Sequence, residues 1–421
     1  HYSSPKLALL LPLTGRLSNA GNAVRDGFLG GYFADSRLHP QAHEQFIVQP
    51  NVRPNVPSVA QFETLSSSFQ PQQHGVIERN RSAMVKLNTY VPALRRRSLT
   101  LYDSASRPLG ALVAQAKADG ADLIIGPLRK DKAKTVAELA EQAKMPALLL
   151  NYIEKTPKSP HNPSGKTQNH EFYQLGTAIE NEAATLANAL MDSEHQRVLV
   201  VHSDQSWSRR ALAEFQNHWP FPVTVASFDQ IKEVTGAVGG SMGITDSVAR
   251  KNELTQLFEQ EIQFLPRARQ DLDAVVALTS NVESRALVPA LRFHFAGNLP
   301  VYATSQSIRG SGNTRELAGF TVTELPILSN PNLNMSSLVS AYALRESSLI
   351  ELYALGYDAY QLATWIHLRN QHGEQMVVDD FLRLSMATGT VHLSSDGRFQ
   401  RTLDLVNIDK LGRREISSES R

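Results

Sequence analysis

The sequence predicts an α/β fold in two lobes, each a parallel sheet with helices on both faces. Three observations predict it. Continuous apolar runs of strand length alternate with helical stretches, the pattern of a parallel sheet built from right-handed crossovers. The alternation stops at a polar stretch, 156–169, carrying Pro157, Pro160, Pro163 and Gly165, and then restarts. The chain has 421 residues, too many for one ordinary core and suited to two.

The opening unit reads strand, turn, helix. Lys6-Leu7-Ala8-Leu9-Leu10-Leu11 is apolar almost throughout, as a strand covered on both faces requires. Pro12-Leu13-Thr14-Gly15 ends it, and 20–34 has helical spacing with small residues at Ala23, Gly27, Gly30 and Gly31. Strands follow at 98–103, 121–125 and 147–150, with helices at 108–119 and 130–143; Pro108 and Gly120 bracket the first of these. After the linker, helices are expected at 180–191, 207–219 and 282–295, and strands at 197–202, 223–228, 272–279 and 299–304. Residues 319–328 read as an extended crossing, 338–370 as mostly helical, 377–387 as a helix, and 389–407 as a hairpin turning at Ser395-Asp396-Gly397. Two stretches lack rhythm. Residues 49–97 are rich in Pro, Ser and Gln, and 229–270 contain the glycine-rich run Gly236–Gly243; both read as irregular insertions. The expected lobes are 5–152 with 325–390, and 172–324 with 391–415.

Composition excludes several functions. Hydrophobic residues make up 42% and charged residues 20%, with a formal net charge of +1, ordinary for a globular protein and without the basic excess of a nucleic-acid binder. Arg95-Arg96-Arg97 is read as a solvated loop. Cysteine is absent, so disulfides, thiolate metal sites and cysteine nucleophiles are excluded. No apolar run approaches the roughly 18–20 residues of a membrane-spanning helix. The chain starts at His1 without initiator Met or signal peptide, and is expected to be processed or excised from something longer. There is no G-x-S-x-G elbow. The run Gly236–Gly243 lacks the Gly-Lys-Ser/Thr of a phosphate loop and reads as a flexible loop. Lys166-Thr167 is followed by Gln168, leaving a serine-transpeptidase set incomplete. His39 and His43 read as loop histidines, His202 as a hydrogen-bonded strand terminus, and Asp271 and Asp273 as flanking a buried strand. No catalytic residue, metal or cofactor is expected.

Several strings carry a family likeness. Leu7–Gly15, Ala121–Leu128, Gly356-Tyr357-Asp358-Ala359-Tyr360, Thr388-Gly389-Thr390 and Asp396-Gly397-Arg398 resemble the type I periplasmic-binding-protein superfamily, which implies a two-lobed clamshell. Within it, Arg25-Asp26-Gly27-Phe28, Leu149-Leu150-Asn151, Asp271-Leu272-Asp273-Ala274, Val288-Pro289-Ala290-Leu291 and Leu299–Ser305, in that order, resemble the carboxy-terminal domain of the penicillin-binding-protein activator lipoproteins, the LpoA family. The resemblance implies a non-catalytic regulator that binds and stimulates a class A penicillin-binding protein, a bifunctional peptidoglycan synthase. Peptidoglycan itself is a further candidate partner. It also implies a periplasmic location, held to the outer membrane by a lipid anchor not present in this chain. Ile327 departs from the family's aromatic at that point, and 49–97 is longer than the family pattern.

In open α/β sheets ligands sit beyond the carboxyl ends of the strands. That rule nominates Leu13, Thr14, Gly15, Gly126, Pro127, Leu128, Asn151 and Tyr152 from one lobe, and Ser203, Asp204, Thr279 and Ser280 from the other. Receptors of this superfamily offer such turns to a ligand carboxylate. Pro127 removes one N–H donor there. That loss argues against a small-ligand site and for a residual, water-filled or closed cleft; a receptor for an amino acid or cell-wall fragment is the alternative function.

Overall fold

A computed structural model describes residues 5–38, 45–48, 98–153, 172–258, 269–310, 314–329, 347–372, 384–394, 396–412 and 414–416. The expected linker 156–169, the insertion 49–97, Arg95–Arg97 and His39 and His43 lie outside them. In chain order the elements are β1 (Lys6–Leu11), α1 (Ser18–Leu38), β2 (Gln45–Val48), β3 (Ser98–Asp103), α2 (Leu109–Ala118), β4 (Leu123–Ile125), α3 (Lys130–Ala143), β5 (Ala147–Leu149) and β6 (Phe172–Leu175). Then come α4 (Ile179–Asp192), β7 (Val198–Ser203), α5 (Ser206–His218), β8 (Val223–Phe228), α6 (Val234–Ser241), α7 (Ile244–Phe258), β9 (Ala274–Leu278) and α8 (Asn281–Phe293). The rest are β10 (Val301–Ala303), β11 (Phe320–Glu324), the single turn α9 (Pro326–Ser329), α10 (Ser347–His372), β12 (Leu384–Ser385), β13 (Thr390–Leu393), β14 (Arg398–Thr402), β15 (Asp404–Ile408) and β16 (Arg414–Ile416).

The chain divides into two compact units. One is His1–Thr177 with Pro331–Arg401; the other is Ala178–Asn330 with Thr402–Arg421. The first holds a sheet ordered β12-β13-β14-β6-β5-β4-β1-β3-β2, parallel from β14 to β2, with β12 and β13 antiparallel. Pleating sends alternate residues of β1 to opposite faces. Leu7, Leu9 and Leu11 pack with Val24 and Phe28 of α1 and Leu355, Tyr360 and Ile366 of α10. Ala8 and Leu10 pack with Leu112 and Val113 of α2 and Val136 of α3.

The second unit repeats the plan, with a sheet ordered β16-β15-β11-β10-β9-β7-β8. Strands β8 to β11 are parallel and β15 and β16 antiparallel. Leu199, Val201, Val275 and Ala277 face α6 and α8. Val198, Val200, Ala274 and Val276 face α4 and α5. Each unit is thus the doubly covered α/β sandwich that the apolar runs predict.

Several expectations are corrected. Residues 172–175 pair with β5 and, on the other side, β14, so they belong with the first unit. Residues 391–401 join the same sheet and 325–330 belong with the second unit. The described part of 229–270 is not irregular: α6 and α7 occupy most of it. Val234, Val238 and Met242 recur every four residues and are buried, a spacing diluted by intervening glycines. Gly239 is there because the His294 ring lies on it; a β-carbon would come within 2.6 Å of Cε1. The extended crossing at 319–328 is strand β11, parallel to β10, followed by α9, in which Ile327 is buried. Of the helix expected at 377–387, Leu384 and Ser385 are strand and 377–383 lie outside the described residues.

No described helix is long and apolar enough to cross a membrane.

Candidate functional site

The nominated residues of the first unit lie at the carboxyl ends of β1, β4 and β5, and most are tied to their own unit. Asp103, at the end of β3, is buried. Its carboxylate accepts from the Leu13 N–H at 2.9 Å, the Thr14 hydroxyl at 2.5 Å and the Ala105 N–H at 3.0 Å. A carboxylate of the chain therefore fills the role that a ligand carboxylate would take at this turn. Gly15 follows with φ +72° and leads into α1. The Gly126–Pro127 peptide is cis, and the Gly126 N–H donates to the Leu148 carbonyl at 2.9 Å. The Asn151 amide donates to the Leu128 carbonyl at 3.1 Å, and its oxygen accepts from the Tyr152 N–H at 3.0 Å. Tyr152 lies against Gly176, its hydroxyl donates to the Phe399 carbonyl at 2.8 Å, and the Arg398 guanidinium sits 5.6 Å from its ring centre.

The second unit is similar. Ser203 and Thr279 are fully buried at the ends of β7 and β9. The Ser203 N–H donates to Ser208 Oγ at 3.1 Å, and Ser208 donates on to the Leu278 carbonyl. Thr279 and Ser284 share a hydrogen bond of 2.7 Å, and Ser284 reaches Ser307 at 2.8 Å. Ser280 caps α8 in a reciprocal box in which Glu283 accepts from the Ser280 N–H at 2.7 Å. Asp204 is exposed and pairs with Arg209 at 2.7 Å. Beside them, at the ends of β10 and β11, buried Glu182 of α4 accepts from the Ser305 N–H at 2.7 Å, the Ser305 hydroxyl at 2.9 Å and the Thr323 hydroxyl at 2.5 Å. Burial pushes the neighbouring Glu324 carboxyl up, against the pull of the Arg414 guanidinium.

Sequence reasoning missed Asp103, Glu182 and the serines 208, 284 and 307. Only the S-x-x-E spacing of Ser280 and Glu283 was a readable signal. Three carboxylates, Asp103, Glu182 and Glu283, thus hold the strand-end donors of Leu13, Thr14, Ser280 and Ser305. His202 is a strand terminus hydrogen-bonded to Ser227 Oγ at 2.7 Å. Asp273 accepts from the Gln196 and Arg197 N–H groups, and Asp271 pairs with Arg269 at 2.7 Å, which holds its carboxyl well below the usual range. Among the described residues no group of His, Asp and Glu could hold a metal.

Glu182→Gln is expected to cost about 1–3 kcal/mol, because its amide would meet donors where the carboxylate accepts. Urea unfolding followed by Trp207 and Trp219 fluorescence reads this; an unchanged midpoint would contradict the assignment.

Each unit has the doubly covered α/β plan of the periplasmic-binding-protein-like class. Solved structures share the fold: the carboxy-terminal domain of LpoA (YraM) from Haemophilus influenzae, described as a regulator of PBP1A, has a TM-score of 0.64 at 18% identity, over 98% of this chain and 99% of that one. A putative branched-chain amino acid ABC transporter protein from Chromobacterium violaceum ATCC 12472 has a TM-score of 0.56 at 21% identity, over 96% of this chain and 99% of that one. Residues 88–408 match the model of the LppC putative lipoprotein family, and the chain belongs to that family. The Penicillin-binding protein activator LpoA of Photobacterium profundum is 25% identical over 407 residues, covering 94% of this chain. The chain spans only 55% of that relative's length.

Proposed function

We propose that this chain is the non-catalytic, periplasmic part of an outer-membrane lipoprotein that binds and stimulates a class A penicillin-binding protein. The observation that carries this reading is an alignment covering 94% of the chain with a protein named for penicillin-binding protein activation. The carboxyl edges of the two sheets support it. A receptor of this fold needs free hydroxyls and N–H groups at its strand ends, and here Asp103 takes those of Leu13 and Thr14 and Glu182 those of Ser305, while the Ser203 and Thr304 hydroxyls are buried. The protein acts as a binding module, and its partner surface lies on the outside of the units rather than at those strand ends.

The test is a titration against a purified class A synthase by surface plasmon resonance, with glycan polymerisation and crosslinking rates measured in parallel. Binding at micromolar concentration or tighter, with faster synthesis, is the expected result. No binding at those concentrations, together with a thermal shift on adding amino acids or muropeptides, would move the function to a small-molecule receptor.

A further inference from the structure

The outer face of α8 carries an apolar stripe that the fold does not use. Val282, Ala286, Pro289 and Phe293 follow one another at intervals of four, three and four residues, so they line one narrow face over about 16 Å. Val282 is 60% exposed and Phe293 71%. The helix cannot rotate to bury them, because Leu287, Ala290 and Leu291 are already in the core and Glu283 and Ser284 are in the strand-end networks.

A second observation is independent of the stripe. Phe295 lies two residues past the helix with φ +60°, in the left-handed region. Its N–H donates to the Arg292 carbonyl at 3.2 Å and that of Ala296 to the Leu291 carbonyl at 2.8 Å. This is the helix-ending turn whose left-handed position favours glycine, and a bulky side chain is strained in it. Phe295 accepts that strain and holds its ring 63% exposed. Lys144 and Glu194 end α3 and α4 in the same left-handed conformation, so what sets Phe295 apart is the large aromatic ring that it leaves exposed.

Charge selects the occupant. The surface charges of α8 are half-buried Arg285 and exposed Arg292, seven residues apart and therefore on the same edge of the stripe; its one carboxylate, Glu283, is buried. Glu316 approaches Arg285 at 3.4 Å from the neighbouring turn. Glu316 thus balances Arg285, and the charge that this edge turns to a partner is that of exposed Arg292, which a carboxylate would meet. We infer that Val282, Pro289, Phe293 and Phe295, bordered by Arg285 and Arg292, form a docking surface for an apolar ridge edged with carboxylates on the synthase. This inference rests on the function proposed above and adds the surface that performs it.

The test compares the wild-type chain with the Val282→Asp/Phe293→Asp double variant, Arg292→Glu and Phe295→Gly, each titrated against the purified class A synthase at low and high salt. The double variant is expected to weaken binding at least tenfold. Arg292→Glu should weaken it severalfold at low salt and flatten the salt dependence. Phe295→Gly should weaken binding while raising the melting temperature by a few degrees, a combination that a merely structural role would not produce. Wild-type affinity in the double variant would overturn the inference and leave the proposed function standing. A wild-type chain that binds no synthase would remove both. A large drop in the double variant's melting temperature would show that the chain covers the stripe itself, and a wild-type dimer dispersed by the variant would show that a second copy does; either overturns it.

Discussion

Gly27→Ala and Gly356→Ala are each expected to destabilise the first unit by about 3–5 kcal/mol. α1 and α10 cross with their backbones in direct contact. A β-carbon on Gly27 would overlap the Tyr353 carbonyl oxygen, and one on Gly356 would overlap that of Val24. These atoms belong to two helix backbones, so relief requires the helices to separate. Separation would in turn loosen the edge-to-face pair of Phe28 and Tyr360, whose ring centres are 5.4 Å apart. The two substitutions act on one crossing. The double variant should therefore cost less than the sum of the singles, since the gap opened by the first accommodates the second. Gly110→Ala is the control in the same unit: a β-carbon there meets only Leu139 Cδ2 at 3.8 Å, and the gain in helix propensity should leave stability unchanged or up to about 1 kcal/mol higher. Trp365 is the tryptophan of this unit, so urea unfolding in a background lacking Trp207 and Trp219 reads it alone. Midpoints unchanged by Gly27→Ala would contradict the close crossing.

That crossing shows which parts of the fold the sequence made legible. The small residues of α1 were visible at Ala23, Gly27, Gly30 and Gly31, and helical spacing placed them. Their partner on α10, more than three hundred residues away, was visible only as the string around Gly356 and Asp358. The central strands were readable because they are covered on both faces. β1 must then be apolar at successive positions, and its six-residue length ending at Pro12 marks the run as a strand rather than a buried helix. α6 was not readable, since three glycines in eight residues imitate a loop until the His294 ring supplies the reason for one of them. The unit boundaries failed for a different reason. β6 takes its place from pairing, with Gln174 opposite Arg398 of β14, and register over that separation leaves no local trace.

The strand ends were legible as places and not as chemistry. The rule that ligands lie beyond the carboxyl ends pointed to Leu13, Thr14, Thr279 and Ser280. Leu13 and Thr14 depend on a carboxylate far away in sequence, Asp103, 90 residues from Leu13, and at the neighbouring strand ends Glu182 is 141 from Thr323, whereas Ser280 meets Glu283 within its own helix turn. Hydrogen-bond satisfaction is a property of the folded surroundings. A donor-rich turn reads as ligand-binding until its internal acceptor is found. The exposed stripe of α8 was present in the sequence as Val282, Ala286, Pro289 and Phe293, but periodicity alone does not say which side of a helix faces the sheet.

Asp358→Ala is expected to cost about 3–5 kcal/mol in the first unit, and Asp358→Asn less, from the same set of bonds. Asp358 lies in the middle of α10, fully buried, and fastens that helix to the turn between β12 and β13. Its carboxylate accepts from the Ala387 and Thr388 N–H groups at 2.8 Å each and from the Thr388 hydroxyl at 2.6 Å. Alanine leaves both backbone donors buried without acceptors. Asparagine keeps one acceptor but turns an NH2 toward a donor. The strings around Asp358 and Thr388, prominent in the sequence as separate features, are thus two halves of one tether. The tether also sets a pH dependence. Burial pushes the Asp358 carboxyl up to about 6 from 3.8, outweighing the hydrogen bonds and the nearby Arg401 charge that pull it down. The folded state therefore binds this proton more tightly than the unfolded chain. The resulting stabilisation is fully present below the unfolded value near 4 and is lost as pH rises through about 6, a change on the order of 3 kcal/mol. Unfolding of the Trp365-only background should give a higher urea midpoint at pH 5 than at pH 7.5, and Asp358→Asn should narrow that gap. An equal gap in the two proteins would mean that the carboxylate is not held as the buried tether requires.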